Sequence, residues 1–183
     1  SGLLSVPGKQ ISDSVLTRIR KLFPLADSSL IVHRLDMSTS GLMVLGLSKR
    51  AHKHLQKQFI ERQVEKHYVA LVEGDVVAES GEINLPMRGD LYDRPRQLVC
   101  FEFGKTAQTS WQVLSRLNGR TLLRLKPHTG RTHQLRVHCA HSEGLAMPIV
   151  GDDLYGEMAD RLHLQAESLT ITHPVTKETI TFN

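Results

Sequence analysis

The sequence predicts an α+β fold, a mixed, mostly antiparallel β-sheet with flanking helices, and three observations lead there. Apolar residues recur at helical spacing in two early stretches, Asp13 to Phe23 and Ser48 to Arg62, while from Lys66 onward the dominant period is two. Asn118-Gly119 stands between two alternating runs, Thr109 to Ser115 and Thr121 to Lys126, and this dipeptide favours the tight turn of an antiparallel hairpin. Strands and helices do not alternate in the βαβ manner of a parallel sheet, and no internal repeat is present. At 183 residues the chain can bury one substantial core, and no Pro/Gly/Ser-rich stretch or charge block divides it, so residues 1–183 are expected to form a single domain.

Val15, Leu16, Ile19, Leu22 and Phe23 share one stripe of the first helix, which is expected to pack inward and to end at Pro24. Leu30-Ile31-Val32 and Leu42-Met43-Val44-Leu45 are short aliphatic runs suited to buried strands. Ser48 is placed to cap the second helix, in which Ala51, Leu55 and Phe59 recur every four residues. Its other faces carry Lys49, Arg50, Lys53, Lys57 and Arg62, which suits either a solvated surface or a basic track for phosphates. In the strand from Lys66, Tyr68, Ala70 and Val72 point one way and His67, Val69 and Leu71 the other. Ile83 to Leu85 reads as a strand, Met87 to Gln97 as a long basic loop stiffened by Pro95, and Leu98 to Phe103 as a return to the sheet. Thr129 is placed to cap a helix from Arg131 to about Ser142, with Gly144 as its stop. Pro148-Ile149-Val150, Leu164 to Thr172 and Glu178 to Phe182 supply the last strands.

The net charge is +4 with ten histidines counted as neutral, which suits a polyanionic partner without requiring one. Cys100 and Cys139 stand in ordinary surroundings and are expected to be reduced, structural thiols of a cytoplasmic protein. No apolar run approaches the roughly 18 residues that span a bilayer, and no signal-peptide pattern opens the chain.

His33-Arg34-Leu35-Asp36-Met37-Ser38-Thr39-Ser40-Gly41 places a lone carboxylate and a basic side chain in a tight polar loop between two apolar runs. Loops held by core at both ends are common positions for reactive groups. On spacing alone the loop is equally a simple turn in which Asp36 caps and Arg34 pairs with it.

Further motifs join this one: Ser1-Gly2-Leu3-Leu4-Ser5-Val6-Pro7-Gly8, Lys66-His67-Tyr68-Val69-Ala70, Gly104-Lys105-Thr106-Ala107-Gln108-Thr109, and Thr129-Gly130-Arg131-Thr132-His133-Gln134-Leu135-Arg136-Val137-His138. Pro148-Ile149-Val150-Gly151-Asp152 with Tyr155-Gly156, and Leu169-Thr170-Ile171-Thr172-His173-Pro174, follow. In these motifs and their order the chain resembles the RNA pseudouridine synthases of the RluA family, in the compact form without an S4 domain. The resemblance implies the pseudouridine synthase catalytic fold, an active-site cleft across the sheet, an isomerase that needs no cofactor, and RNA as partner. Family members carry a strand ahead of Ser1, so an N-terminal strand is expected to be missing here.

Converting uridine to its C-linked isomer means breaking the N1–C1′ bond, turning the base and rejoining it through C5. The resemblance puts Asp36 in the central role, and attack on C1′, attack on C6 and proton removal from C2′ all remain open. An ionised carboxylate in a dry site needs a fixed cation, and Arg131, on the family's arginine, is the candidate. Tyr68 has the surface to stack on a flipped uracil, although a tyrosine there also fits a core. Arg34 can fill the gap left by the extruded base; Arg94 and Arg96 resemble the RNA-pinching loop of relatives; Lys105 is a weaker phosphate contact. As isolated residues, Arg94 and Arg96 are more often ordinary surface arginines. One departure from the family is Gln165 in Leu162-His163-Leu164-Gln165-Ala166, where relatives commonly have histidine.

Two rival readings remain. A non-catalytic RNA-binding module of the same fold is disfavoured by intact Asp36, Tyr68 and Arg131. A zinc hydrolase built on His133, His138, Cys139 and His141 is disfavoured by spacing, since His133 and His138 diverge by about 140° on a helix and no HExxH or CxxC pattern occurs. Single-stranded or loop RNA is the expected substrate, because unpaired bases are what proteins read in RNA, and the resemblance to compact family members implies a stem-loop of ribosomal or transfer RNA. The protein is expected to be a monomer with no membrane partner and no metal.

Overall fold

In chain order the elements are helix α1 (Val15–Leu22), strands β1 (Leu30–Ile31), β2 (Ser40–Gly41) and β3 (Leu45–Gly46), helix α2 (Lys49–Ile60), and strands β4 (Glu65–Glu73) and β5 (Ser80–Asn84). Strands β6 (Met87–Gly89), β7 (Gln97–Val99), β8 (Gln108–Leu117) and β9 (Arg120–Pro127), helix α3 (Gln134–Ala140), and strands β10 (Leu164–Thr172) and β11 (Thr179–Phe182) follow. The computed structural model describes residues 2–27 and 29–183. Ser1, the first residue of the opening motif, therefore lies outside the described residues. The chain divides into two compact units, Ser1–Lys66 with Ala166–Asn183, and His67–Gln165. None of the described helices is long and apolar enough to cross a membrane.

In the second unit β4, β9, β8 and β5 lie side by side, each paired antiparallel to the next. Period-two patterning decides which face is covered: Ala70, Val72, Leu123 and Leu125 are wholly buried and cluster with Leu135 and Cys139 of α3, and Tyr68 packs against the same cluster. Asn118 and Gly119 take φ values of 55° and 71°, the paired left-handed residues that a tight hairpin turn requires.

Met87 to Gln97, expected as a loop, instead holds a hairpin, with β6 and β7 in register from Met87–Val99 to Gly89–Gln97. Of Leu98 to Phe103, expected as strand, only Leu98 and Val99 are strand, within β7, and the chain turns from Cys100 on. The Gly104 N–H donates to the Cys100 carbonyl and closes a turn, at a point where an added Cβ would overlap that oxygen, and Lys105 then exchanges backbone bonds with Met87. Pro148-Ile149-Val150 contributes only the single bridge between Ile149 and Val72.

In the first unit β1 pairs with β3, β10 with β11, and β2 with β10. Ser48 caps α2 by accepting the Ala51 N–H, and Leu55 packs with Val64, Leu169 and Ile171. Gln58 of the same helix is buried and mimics a strand edge: its Nε2 donates to the Thr172 carbonyl and its Oε1 accepts the Thr172 N–H, both at 2.8 Å. Helix α1 departs from expectation. Ser14 and Thr17 form its capping box, and the N–H groups of Val15 and Leu16 donate to Leu4 and Ser5. These anchors all lie at the N-terminal end, so the last turn projects outward, leaving Leu22 71% and Phe23 46% exposed.

Two histidines are held neutral by packing. His33 Nε2 accepts the Val44 N–H at 3.0 Å while the ring stacks on Phe59, centroids 4.5 Å apart. Burial, reinforced by Lys66, pulls its pKa down to about 4. His138, fully buried between the Thr109 hydroxyl and the Leu85 carbonyl, is pulled by burial to about 4 as well. An unfolded histidine titrates near 6.5, so between that value and about 4 the unfolded chain binds protons the folded one refuses. Stability is therefore full above pH 6.5 and falls as pH drops, by up to about 1.4 kcal/mol per pH unit for each group. Urea midpoints measured from pH 7 to 4.5 should fall accordingly, and His33→Gln, whose amide oxygen can accept the same N–H, should flatten the fall. A level wild-type profile, or an unaltered slope in the variant, contradicts the neutral assignment.

Candidate active site

The loop that carries Asp36 is pinned within the first unit by groups on both sides. One hydroxyl, that of buried Ser5, donates to the Leu35 carbonyl at 2.8 Å and accepts the Leu35 N–H at 3.1 Å, and the Gly2 N–H donates to the Met37 carbonyl at 2.7 Å. These bonds explain the opening Gly-Leu-Leu-Ser motif as a brace under the loop. At the far end Gly41 has a φ of 111°, and a Cβ there would run into the backbone of Ala166, whose carbonyl accepts the Leu42 N–H. Leu35 and Thr39 are buried, Asp36 is half-buried, and Arg34 is exposed. The backbone closes the turn, with the Thr39 N–H donating to the Asp36 carbonyl at 3.0 Å. No hydrogen bond or ion pair joins Arg34 to Asp36 among the described residues, so the simple capped-turn alternative does not describe this loop.

In the second unit Arg131 sits before α3 rather than in its first turn. The helix begins at Gln134, and its N-cap position is His133 in the left-handed region (φ 53°, ψ 18°) with no side-chain cap. Gln134, only 4% exposed, organises the loop instead. Its Oε1 accepts the Thr129 hydroxyl at 2.7 Å and the Arg131 N–H at 3.1 Å; its Nε2 donates to the Gln108 carbonyl at 2.9 Å and the Thr109 hydroxyl at 3.0 Å. Thr129 in turn accepts the Gln108 N–H at 2.9 Å, so it braces β8 rather than capping the helix. Arg131 Nε donates to the Thr106 carbonyl at 3.0 Å, which assigns the Gly104-Lys105-Thr106-Ala107 motif a positioning task as well as an exposed lysine.

The remaining expected residues fall at separate places in this unit. Tyr68 is half-buried on β4, opposite Leu125. Arg94 is exposed at the β6–β7 turn, whereas Arg96 pairs with Asp93 at 3.0 Å and lies 5.9 Å from the Tyr155 ring centroid. Gln165 is exposed on β10 between buried Leu164 and Ala166.

Sequence reasoning gave no individual role to four residues that the structure ties to the Arg131 loop. Arg136 and Asp152, both almost wholly buried, form a two-pronged ion pair (2.9 and 2.5 Å), and Arg136 also reaches Asp153 at 2.8 Å. Asp152 Oδ1 accepts the Leu154 and Tyr155 N–H groups, and the Arg136 guanidinium lies 5.3 Å from the Tyr155 centroid. The Tyr155 hydroxyl accepts the Gln97 N–H at 2.8 Å and meets His133 Nδ1 at 2.8 Å. Only the shared motif order hinted at these residues, since buried Arg–Asp pairs leave no local pattern.

The residues weighed as a zinc site are occupied separately. His133 holds Tyr155, His138 lies between Thr109 and Leu85, and His141 accepts the Glu143 N–H. Burial pushes the Cys139 thiol up to about 12, far from a ligating thiolate. Among the described residues no three such side chains are grouped to hold a metal.

Residues 1–141 match the family model described as RNA pseudouridylate synthase. The chain is similar to the dual-specificity RNA pseudouridine synthase RluA of Escherichia coli, 48% identical with 100% of this chain and 84% of that protein covered. It is equally similar to the protein of the same name from Haemophilus influenzae, at 49% identity with 100% and 84% covered. Among solved structures it resembles human RNA pseudouridylate synthase domain containing 1, with a TM-score of 0.78, 31% identity, and 92% of this chain and 72% of that one covered. Fold, motifs and relatives agree, and the chain belongs to the RNA pseudouridylate synthase family.

Proposed function

We propose that the chain isomerises uridines in stem-loops of both ribosomal and transfer RNA, with Asp36 as the group that acts on the nucleoside and Arg131 as its counter-charge. The observation that carries this reading is the bracing of the Asp36 turn by backbone and Ser5 alone, which leaves the carboxylate uncommitted by the turn. With Nε committed to Thr106, the two Nη groups of Arg131 remain as the fork that suits a carboxylate. Dual specificity is what the relatives' name describes, and it is extended to this chain on 48% identity along its whole length.

The remaining roles follow from chemistry. The target atoms are hidden in stacked RNA, so the nucleotide is extruded at a cost of a few kcal/mol by the general estimate for flipping. Arg34, exposed beside the Asp36 turn, fills the vacated stack; Tyr68 stacks on the flipped uracil; Arg94, Arg96 and Lys105 follow the phosphates. The reaction rearranges bonds within one nucleoside with no net oxidation or reduction, so it calls for no cofactor. The protein acts as a monomer in the cytoplasm, where its RNA substrates are.

Transcribed ribosomal and transfer RNA carrying tritium at uridine C5 provides the assay, because forming the C-glycoside releases that hydrogen. Wild-type protein should release tritium, and Asp36→Asn should reduce the rate on the order of 10⁴-fold or more. Undiminished release from the variant, or none from the wild type, defeats the assignment. Arg131→Lys should lower turnover by about 10- to 100-fold with RNA affinity within about threefold, since an ammonium cannot reproduce the fork. Arg94→Ala should instead weaken binding and reduce the salt slope by about 1. Equal, small effects from both variants contradict the division of roles.

A further inference from the structure

Tyr155 joins the β6–β7 hairpin, which carries Arg94 and Arg96, to the turn that carries Arg131. On one side its hydroxyl accepts the N–H of Gln97, the residue after Arg96 and the last rung of the β6–β7 hairpin. On the other it meets Nδ1 of His133, two residues after Arg131. A phenol that accepts a backbone N–H still has one proton to give and one lone pair to offer, so it bonds His133 Nδ1 in either imidazole tautomer. Burial raises the pKa of Tyr155 and keeps that proton in place.

His133 needs such a tie. A residue with a side chain held at φ 53° sits in a strained conformation that persists only when its neighbours enforce it. Gln134 enforces the turn from the helix side, and the Tyr155 hydroxyl enforces it from the hairpin side. The ring is itself clamped. Arg136, locked by Asp152, lies 5.3 Å from its centroid and Arg96 lies 5.9 Å from it, while Asp152 fixes its backbone N–H.

We infer that Tyr155 is a positioning residue for the reaction: its hydroxyl ties the arginine hairpin to the Arg131 turn, so that RNA gripped by the hairpin sets the turn, and with it Arg131, in the productive geometry. The inference rests on the role assigned to Arg131 above, and it names a residue that touches neither the nucleoside nor the phosphates.

Tyr155→Phe removes the hydroxyl and leaves the ring between its two arginines. Tritium release should be followed in single turnover at saturating RNA, alongside RNA affinity and melting temperature. The expected result is a rate lowered 10- to 100-fold, an affinity within about threefold of wild type and a melting temperature within a few degrees. His133→Asn, which tolerates the left-handed backbone but is too short to meet the hydroxyl, should show the same loss, and the double variant no further loss. A normal rate in both single variants, a loss of affinity that accounts for the whole effect, or additive losses in the double variant overturns the inference. Arg131→Lys serves as the reference. If it turns over normally, the reading of Arg131 fails; if it is impaired while Tyr155→Phe is normal, only the role of Tyr155 falls.

Discussion

Gln134 uses both ends of its buried amide on the backbone and hydroxyls around Arg131, and the geometry of the whole loop depends on that single side chain. Every one of its four bonds replaces water, and leaving a buried donor or acceptor unpaired costs about 1–3 kcal/mol. The loop therefore has one arrangement in which all of these groups are satisfied, and alternatives are excluded by several such penalties at once. A guanidinium on a long flexible stem gains from this, because its backbone is fixed at one end and its Nε at the Thr106 carbonyl. The terminal fork is coplanar with Nε, so the same bond aims it.

The Asp36 turn solves the same problem with smaller means. Ser5 satisfies both backbone groups of Leu35 with one hydroxyl, and Gly41 lets the chain touch the backbone of Ala166 where any side chain would collide. In both loops the brace is polar and buried and is supplied by a neighbouring side chain, Ser5 or Gln134, acting on backbone. A carboxylate that also had to close its own turn would lose orientation whenever it reacted; at Asp36 the Thr39 N–H bonds to the carbonyl instead, so the turn does not depend on the charge.

How much of this was legible in the sequence depends on how local the cause is. The Asn118-Gly119 turn, the Ser48 cap and the alternation that buries Ala70 and Val72 are set by neighbours in sequence, and all three were read correctly. The start of α3 was not, because a left-handed His133 and a glutamine reaching back to Thr129 have no periodic signature. The β6–β7 ladder was missed because three residue pairs carry too little alternation to separate a strand from a polar loop. The outward last turn of α1 was missed for a different reason: an apolar stripe shows which face is apolar, not whether anything covers it. The Gln58–Thr172 bonds span 114 positions and are invisible to any local reading. At the candidate site Asp36 and Arg131 stood out through their motifs, while the residues that brace their loops did not.

The Arg136–Asp152 pair shows why bracing residues are hard to read and still matter. Removing two charges from water costs several kcal/mol per ion, and their mutual attraction often does no more than offset it, so such a pair is weak evidence of stability. Its consequence here is directional. The carboxylate oxygens that hold Arg136 also receive the N–H groups of Leu154 and Tyr155, and the guanidinium lies against the Tyr155 ring. Arg96, by contrast, reaches the same ring from a half-exposed ion pair with Asp93, and a salt-screened pair of that kind contributes at most about 1 kcal/mol. The exposed pair can therefore open at little cost, whereas Arg136 stays locked to a carboxylate with no exposed surface. The ring keeps its place when the exposed pair opens, because its buried clamp is independent of the exposed one.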